Sequence, residues 1–133
     1  QESSPTIATL WKIATGLNCS LSFLMESQHM PTNTSEYNND PNMCIKTLFP
    51  FDEITRFETF EITLSDKHEQ LSLAHNTGVS EHIYVTKGNI AVFYDNKWHN
   101  LENGSRCRFD ANQTHGYKAI SNEAVFIDII HYR

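Results

Sequence analysis

No stretch of this 133-residue chain is apolar for long enough to cross a membrane. Its start also lacks the charged, apolar and small-residue succession of a secretory signal. Basic residues are few, ten Lys and Arg against sixteen Asp and Glu, for a net charge of −6. They form no patch, so the chain by itself is a poor grip for a phosphate backbone. Cysteine is scarcer still: Cys19, Cys44 and Cys107 are odd in number, widely spaced and without a CxxC pair, which leaves no disulfide framework. A reducing, cytoplasmic setting fits that usage. No internal repeat is visible. Asn-x-Ser/Thr triplets, as at Asn18, Asn33 and Asn112, fall in an Asn-rich chain without a signal and read as coincidence.

The apolar fraction of 39%, with eight Phe, five Tyr and two Trp, suffices for one compact domain plus a short appendage. Residues 4 to 27 read as two short helices. Ser4 is placed to cap the first, with Pro5 at its first helical position, where a missing N–H costs nothing. Ile7, Leu10, Trp11 and Ala14 follow at i, i+3, i+4 and i+7, a helical apolar face, and Gly16 is placed to end it. Ser20 is the corresponding cap for a helix holding Leu21, Phe23, Leu24 and Met25. Residues 28 to 42 are polar, contain Pro31 and Pro41, and show no periodicity, the composition of a linker.

Beyond residue 42 the pattern changes to period two. Phe60, Ile62 and Leu64 alternate with Glu61 and Thr63; Ile83 and Val85 alternate with His82, Tyr84 and Thr86. Further short strands are expected over 89–94, 97–101, 106–109, 114–119 and 124–131, separated by turn signals at Lys87-Gly88, Asp95-Asn96 and Asn103-Gly104. Many short strands at this spacing argue for an all-β sandwich or barrel.

Two spaced motifs lie within this part. His75, Thr77 and Glu81 are followed after six residues by Gly88; Gly104 is followed after five by Asp110, then Asn112 and His115. The order and spacing resemble the paired motifs of the cupin superfamily, G-x5-H-x-H-x3-E-x6-G and G-x5-P-x-G-x2-H-x3-N. Thr77 stands where the second histidine belongs, Asp110 and Asn112 replace Pro and Gly, and Ala119 replaces the trailing Asn. The resemblance implies a jelly-roll barrel, a double-stranded β-helix, over residues 43–133, with His75, Glu81 and His115 at metal-ligand positions. Two imidazoles and a carboxylate suit Fe, Mn, Ni or Zn, although a neutral hydroxyl at Thr77 is a poor ligand. The alternative is a metal-free pocket in which the same three residues anchor a small molecule, and the plainest is a set of ordinary polar residues. Alternation places Ile83 on the interior face with Glu81, and Tyr117 on the face of His115. Cys107 and Phe109 share a further strand face, taken as the inner one, with Arg106 and Arg108 outward. Trp11 and Trp98 read as core or interface aromatics, and His29, His68, His99 and His131 as surface residues.

Residues 1–27 carry a second resemblance. Ser4-Pro5-Thr6-Ile7-Ala8-Thr9-Leu10-Trp11-Lys12-Ile13-Ala14, then Gly16-Leu17-Asn18 and Ser20-Leu21-Ser22, is similar to the last two helices of an Xre-type helix-turn-helix domain. The chain opens at Gln1, so on this resemblance the recognition helix lies outside it, as in a truncated or proteolysed chain. Together the two resemblances imply a bacterial two-domain transcriptional regulator whose cupin senses a small molecule and dimerises, shifting the spacing of operator-reading helices. The rival is a metal-dependent cupin oxygenase or isomerase, which needs a complete ligand set; a purely dimerising scaffold is third. No residue is assigned a catalytic role.

Overall fold

The computed structural model describes residues 6–17, 20, 21, 24, 37–40, 42–75 and 78–133. Helix α1 (Ile7–Leu17) precedes ten strands: β1 (Tyr37–Asp40), β2 (Met43–Phe49), β3 (Phe57–Ser65), β4 (Glu69–Ser72), β5 (Ser80–Lys87), β6 (Ile90–Tyr94), β7 (Lys97–Leu101), β8 (Arg106–Asp110), β9 (His115–Ala119) and β10 (Glu123–His131). They form two antiparallel sheets, ordered β1-β2-β3-β10-β5-β8 and β4-β9-β6-β7. The inner faces enclose one core, supplied by Phe60, Ile62, Leu64, Ile83, Val85 and Phe126 from the first sheet and Ile90, Val92, Tyr117 and Ala119 from the second. This is the jelly-roll barrel expected from the motifs.

The turn signals act as read. Asp95 and Asn96 both take left-handed backbone (φ 54° and 63°), which a two-residue hairpin between β6 and β7 demands. Gly88 adopts φ +72°, and a Cβ there would run into the carbonyl of Glu123 and the hydroxyl of Ser121, so only glycine fits.

Three expectations are corrected. One N-terminal helix is described where two were expected; of the second, only Leu21 and Leu24 are described as helical, with Leu24 N–H donating to the Ser20 carbonyl. Helix α1 begins later than Ser4 and Pro5, which lie outside the described residues: Thr6 is the cap, its hydroxyl accepting Thr9 N–H at 3.1 Å, and the helix continues one residue past Gly16. Within the stretch read as a linker, Tyr37–Asp40 forms β1 against β2, while residues 28–36 and 41 lie outside the described residues. Strands β2 and β4 were not anticipated, because Lys46 and Thr47 interrupt one and the other is only four residues long.

The apolar face of α1 is where the periodicity put it. Ile7, Leu10, Trp11 and Ala14 are all buried, and Trp11 meets Phe60 and Tyr117 edge-on at centroid distances of 5.4 and 6.2 Å. Gln70 of β4 donates its amide to the Ala8 carbonyl at 2.8 Å. The helix is therefore a lid on the barrel. Trp11→Ala is expected to lower stability by about 3 kcal/mol or more, read as a fall in the urea midpoint at unchanged slope; a change below about 1 kcal/mol would show that the helix does not dock.

Candidate functional site

Backbone pairing assembles the site from three chain segments. Glu81 lies on β5 opposite Phe109, and His115 opens β9 opposite Ser72. His75 lies in the loop after β4. Its N–H donates to the Ala111 carbonyl at 2.7 Å, and Ala111 N–H donates to the Val79 carbonyl at 2.8 Å, clipping the two motif loops together. Strand alternation turns Glu81, Ile83 and Val85 inward and leaves His82 and Tyr84 outward, as the sequence pattern required.

His75, Glu81 and His115 are buried, and one donor atom from each lies within 4.8 Å of the others. The two imidazoles stack with centroids 5.8 Å apart and planes 21° from parallel. His115 Nδ1 is 2.8 Å from the Gln113 carbonyl, a contact that places the hydrogen on Nδ1 in the neutral ring. Nε2 is thereby turned toward Glu81 Oε2, 3.0 Å away. That approach lacks hydrogen-bond alignment: Glu81 Oε2, His115 Nε2 and His75 Nδ1 all remain buried without a hydrogen-bond partner. Buried polar atoms ordinarily have partners, so orphaned atoms on three residues whose donors lie within 4.8 Å of one another are an argument for a missing shared one. A divalent first-row ion fits the donor set, with the Gln113 carbonyl orienting one imidazole behind it. Thr77, the weak position of the motif, lies outside the described residues.

The charge states follow from burial and contact. For Glu81, burial opposes ionisation, but the charge of His115 and contacts from His115, Tyr117 and Asp128 overcome it and bring the carboxyl down to about 2. Burial likewise opposes the His115 cation, and the Glu81 charge, the Glu81 contact and the Gln113 carbonyl reverse this, raising it above the usual imidazole value. His75, more desolvated than paired, falls to about 4. Asp128 is raised well above the usual carboxyl range, first by burial and then by the Glu81 charge. The Tyr117 hydroxyl donates to Glu81 Oε1 at 2.5 Å and lies 3.1 Å from Asp128 Oδ2. One hydroxyl proton serves only one of these, so a protonated Asp128 completes the set.

A second buried polar group connects the barrel to the N-terminal segment. Tyr132 donates its hydroxyl to Glu58 Oε2, and Leu21 N–H donates to the same oxygen at 3.3 Å. Tyr132 also meets the His75 ring edge-on at 6.0 Å. Trp11, Thr15, Glu58, His75 and Tyr132 border a hollow of about 10 Å³, room for roughly one water.

Of the residues expected at the site, His75, Glu81, His115 and Tyr117 come together, and Ile83 is a buried wall residue beside them. Cys107 is half-buried on the inner face with Phe109, and burial pushes its thiol up to about 12, which keeps it protonated. Arg106 and Arg108 are exposed as expected. Trp11 is core; Trp98 packs on Phe93, with the Lys118 ammonium 4.3 Å over its ring. His68, His99 and His131 are half-buried rather than plainly on the surface, His99 stacking on Tyr94 at 3.8 Å, and His29 lies outside the described residues. Asp128, Glu58 and Tyr132 were missed. The signal for Asp128 was available: it is the lone acid inside the apolar run from Ala124 to Ile130.

Residues 62–130 match the Cupin domain family. The chain belongs to the cupin family. Over 132 residues it is 39% identical to the HTH-type transcriptional regulator SutR of Escherichia coli (strain K12), covering 98% of this chain and 74% of that protein. The crystal structure of an HTH_3 family transcriptional regulator from Vibrio cholerae is 48% identical with a TM-score of 0.86, covering 99% of this chain and 75% of that one. The Cupin_2 domain of an XRE family transcriptional regulator from Enterobacter cloacae is 33% identical with a TM-score of 0.66, over 69% of this chain and 98% of that one. This cupin therefore belongs among helix-turn-helix regulators that carry such a domain, and it is the cupin part of a regulator.

Proposed function

We propose that this cupin is the sensing and dimerising portion of a cytoplasmic bacterial transcriptional regulator. Its effector site is built on a divalent transition metal held by His75, Glu81 and His115. Operator DNA is contacted through the complete helix-turn-helix of the full protein. The observation that carries the effector site is the clustering of three buried residues, His75, Glu81 and His115, with one donor atom of each within 4.8 Å of the others. Bound there, the ion supplies positive charge and fixed coordination; the chain's residues orient the donors and exclude water. Occupancy reaches the N-terminal helix through short steps: Tyr117 touches both Glu81 and Trp11, and Tyr132 joins His75 to Glu58 and so to Leu21.

A cupin oxygenase or isomerase is the second reading, favoured by the same donor set. The regulators named above favour sensing.

Titration with Mn, Fe(II), Ni and Zn, followed by urea unfolding and tryptophan emission, tests the proposal. At a concentration a hundred times Kd, binding is expected to stabilise the fold by about 2.7 kcal/mol and to shift emission from Trp11. No stabilisation by any of the four overturns the metal as effector.

A further inference from the structure

Ser72, the last residue of β4, places an unused hydroxyl beside the metal-binding residues. Its Oγ is buried without a hydrogen-bond partner, although the residue is only 3% exposed. Alternation along β4 turns Gln70 and Ser72 inward and leaves Glu69 and Leu71 outward. In register with β9, Gln70 lies opposite Tyr117 and Ser72 opposite His115. Residues directly opposite on an antiparallel pair share a face, with Cβ atoms about 4.5–5.5 Å apart. The Ser72 side chain is therefore a neighbour of the His115 imidazole on the inner face. Nothing in the spacing of the two motifs singles it out.

The polar groups that flank Ser72 in register are already committed. Gln70 gives its amide to the Ala8 carbonyl, and its Oε1 lies 2.9 Å from His68 Nε2. The Tyr117 hydroxyl serves Glu81 and Asp128, and His115 Nδ1 serves the Gln113 carbonyl. A neutral alcohol is a weak ligand for a first-row ion, so the hydroxyl is better suited to hold an atom that the ion binds. Two imidazoles and one carboxylate leave coordination positions for such an outside ligand.

The chemistry of that ligand follows from what the ion and the hydroxyl both require. A cation takes only lone pairs, and an O–H donates only to them. An ammonium group or a hydrocarbon satisfies neither, whereas a carboxylate has lone pairs for both. Of the buried acids, Glu81 shares the ion and Asp128 keeps its proton. Glu58 is paired with the Tyr132 hydroxyl and Leu21 N–H. The doubly charged ion therefore still draws an anion.

We propose that Ser72 is a fourth polar residue of the metal site, whose hydroxyl holds a small carboxylate bound to the ion as an exchangeable ligand. The assignment rests on the metal reading above and names the chemical class of the effector. It also gives the effector a path to the N-terminal helix, because β4 is the strand that Gln70 ties to Ala8 of α1.

Acetate titration of the Co(II)-loaded chain, followed by visible absorption, tests it on the parent, Ser72→Ala and Ser72→Thr, with circular dichroism to establish folding. Acetate is expected to shift the Co(II) bands of the parent saturably, and ethylamine at the same concentrations to leave them unchanged. Ser72→Ala is expected to keep Co(II) affinity within about threefold and to weaken acetate about tenfold or more, the loss of a hydrogen bond to a charged group. Ser72→Thr, which retains the hydroxyl, is expected to recover most of the acetate affinity. A parent that binds Co(II) but not acetate, or equal acetate affinity in parent and Ser72→Ala, overturns this assignment while the metal reading stands. So does a folded Ser72→Ala that loses Co(II) itself, since Ser72 is then a ligand of the ion. A parent that takes up no Co(II) overturns both.

Discussion

His115→Ala is expected to weaken divalent metal binding by at least a hundredfold, about 2.7 kcal/mol, while the barrel stays folded. The variant removes one of two imidazoles and leaves Glu81 Oε2 with no nitrogen opposite it. Its other contacts are Nδ1 to the Gln113 carbonyl and ring packing on His75 and Phe109, so circular dichroism is used to establish that the variant is folded. A graded series should accompany it. Tyr117→Phe touches only the Oε1 side of Glu81, and loss of such a supporting contact costs about ten- to a hundredfold in affinity. Cys107→Ala, whose protonated thiol feels the Glu81 charge but is not one of the three clustered donors, is expected to leave affinity within a few fold. Equilibrium dialysis with Zn or Ni ranks the three. An order in which Cys107→Ala is the most damaging moves the site off the His-Glu-His set.

Metal-free protein is expected to be most stable between about pH 4.5 and 6.5, where the opposite slopes of His75 and Asp128 offset each other, and to lose stability on both sides, and metal is expected to flatten the alkaline side. On the acid side, His75 falls from 6.5 to about 4 in the fold, so its contribution is complete above pH 6.5 and lost as pH drops from there through 4. Over the full window this is on the order of 3 kcal/mol at 1.36 kcal/mol per pH unit. Glu81, lowered from 4.5 to about 2, adds a loss of the same sign between those values. The alkaline side has the opposite sign. The raised His115 stabilises fully below pH 6.5 and loses that contribution as pH rises through its folded value. Asp128, raised from 3.8, keeps a proton that the unfolded chain releases, so it weighs against folding increasingly as pH climbs above 3.8. A metal ion takes the place of the His115 proton, and Asp128→Asn removes the second term. Urea midpoints from pH 4 to 9, with and without Zn, should show a maximum that broadens to higher pH with metal. Equal alkaline slopes in both series contradict the shared use of His115 Nε2.

The barrel and its donors were legible because both depend on local spacing. Period-two alternation fixes which residues face inward, and the intervals from His75 to Glu81 and from Gly104 to His115 fix which strand ends hold donors. The partners behind the donors were not legible in the same way. Asp128 reaches Tyr117 and Glu81 across strands far apart in sequence, and Glu58 meets Tyr132 and Leu21 through a fold closed only by long-range pairing. An inward acid within β10 was the available sign, since a buried carboxyl requires a partner. Strand β1 was hidden for another reason: Tyr37-Asn38-Asn39-Asp40 has the composition of a turn, and its strand conformation comes from pairing with β2 rather than from its own propensity. At the other end, α1 was legible as a helix because its apolar face repeats at helical spacing, whereas its cap moved from Ser4 to Thr6, a choice made by one hydroxyl contact.

Elemental analysis of the chain purified without added metal, beside His115→Ala prepared identically, is the most direct measurement. Close to one equivalent of Mn, Fe, Ni or Zn in the parent, absent from the variant, is the expected result. A folded parent that carries none of the four and takes none up on incubation at neutral pH would contradict a metal centre at His75, Glu81 and His115.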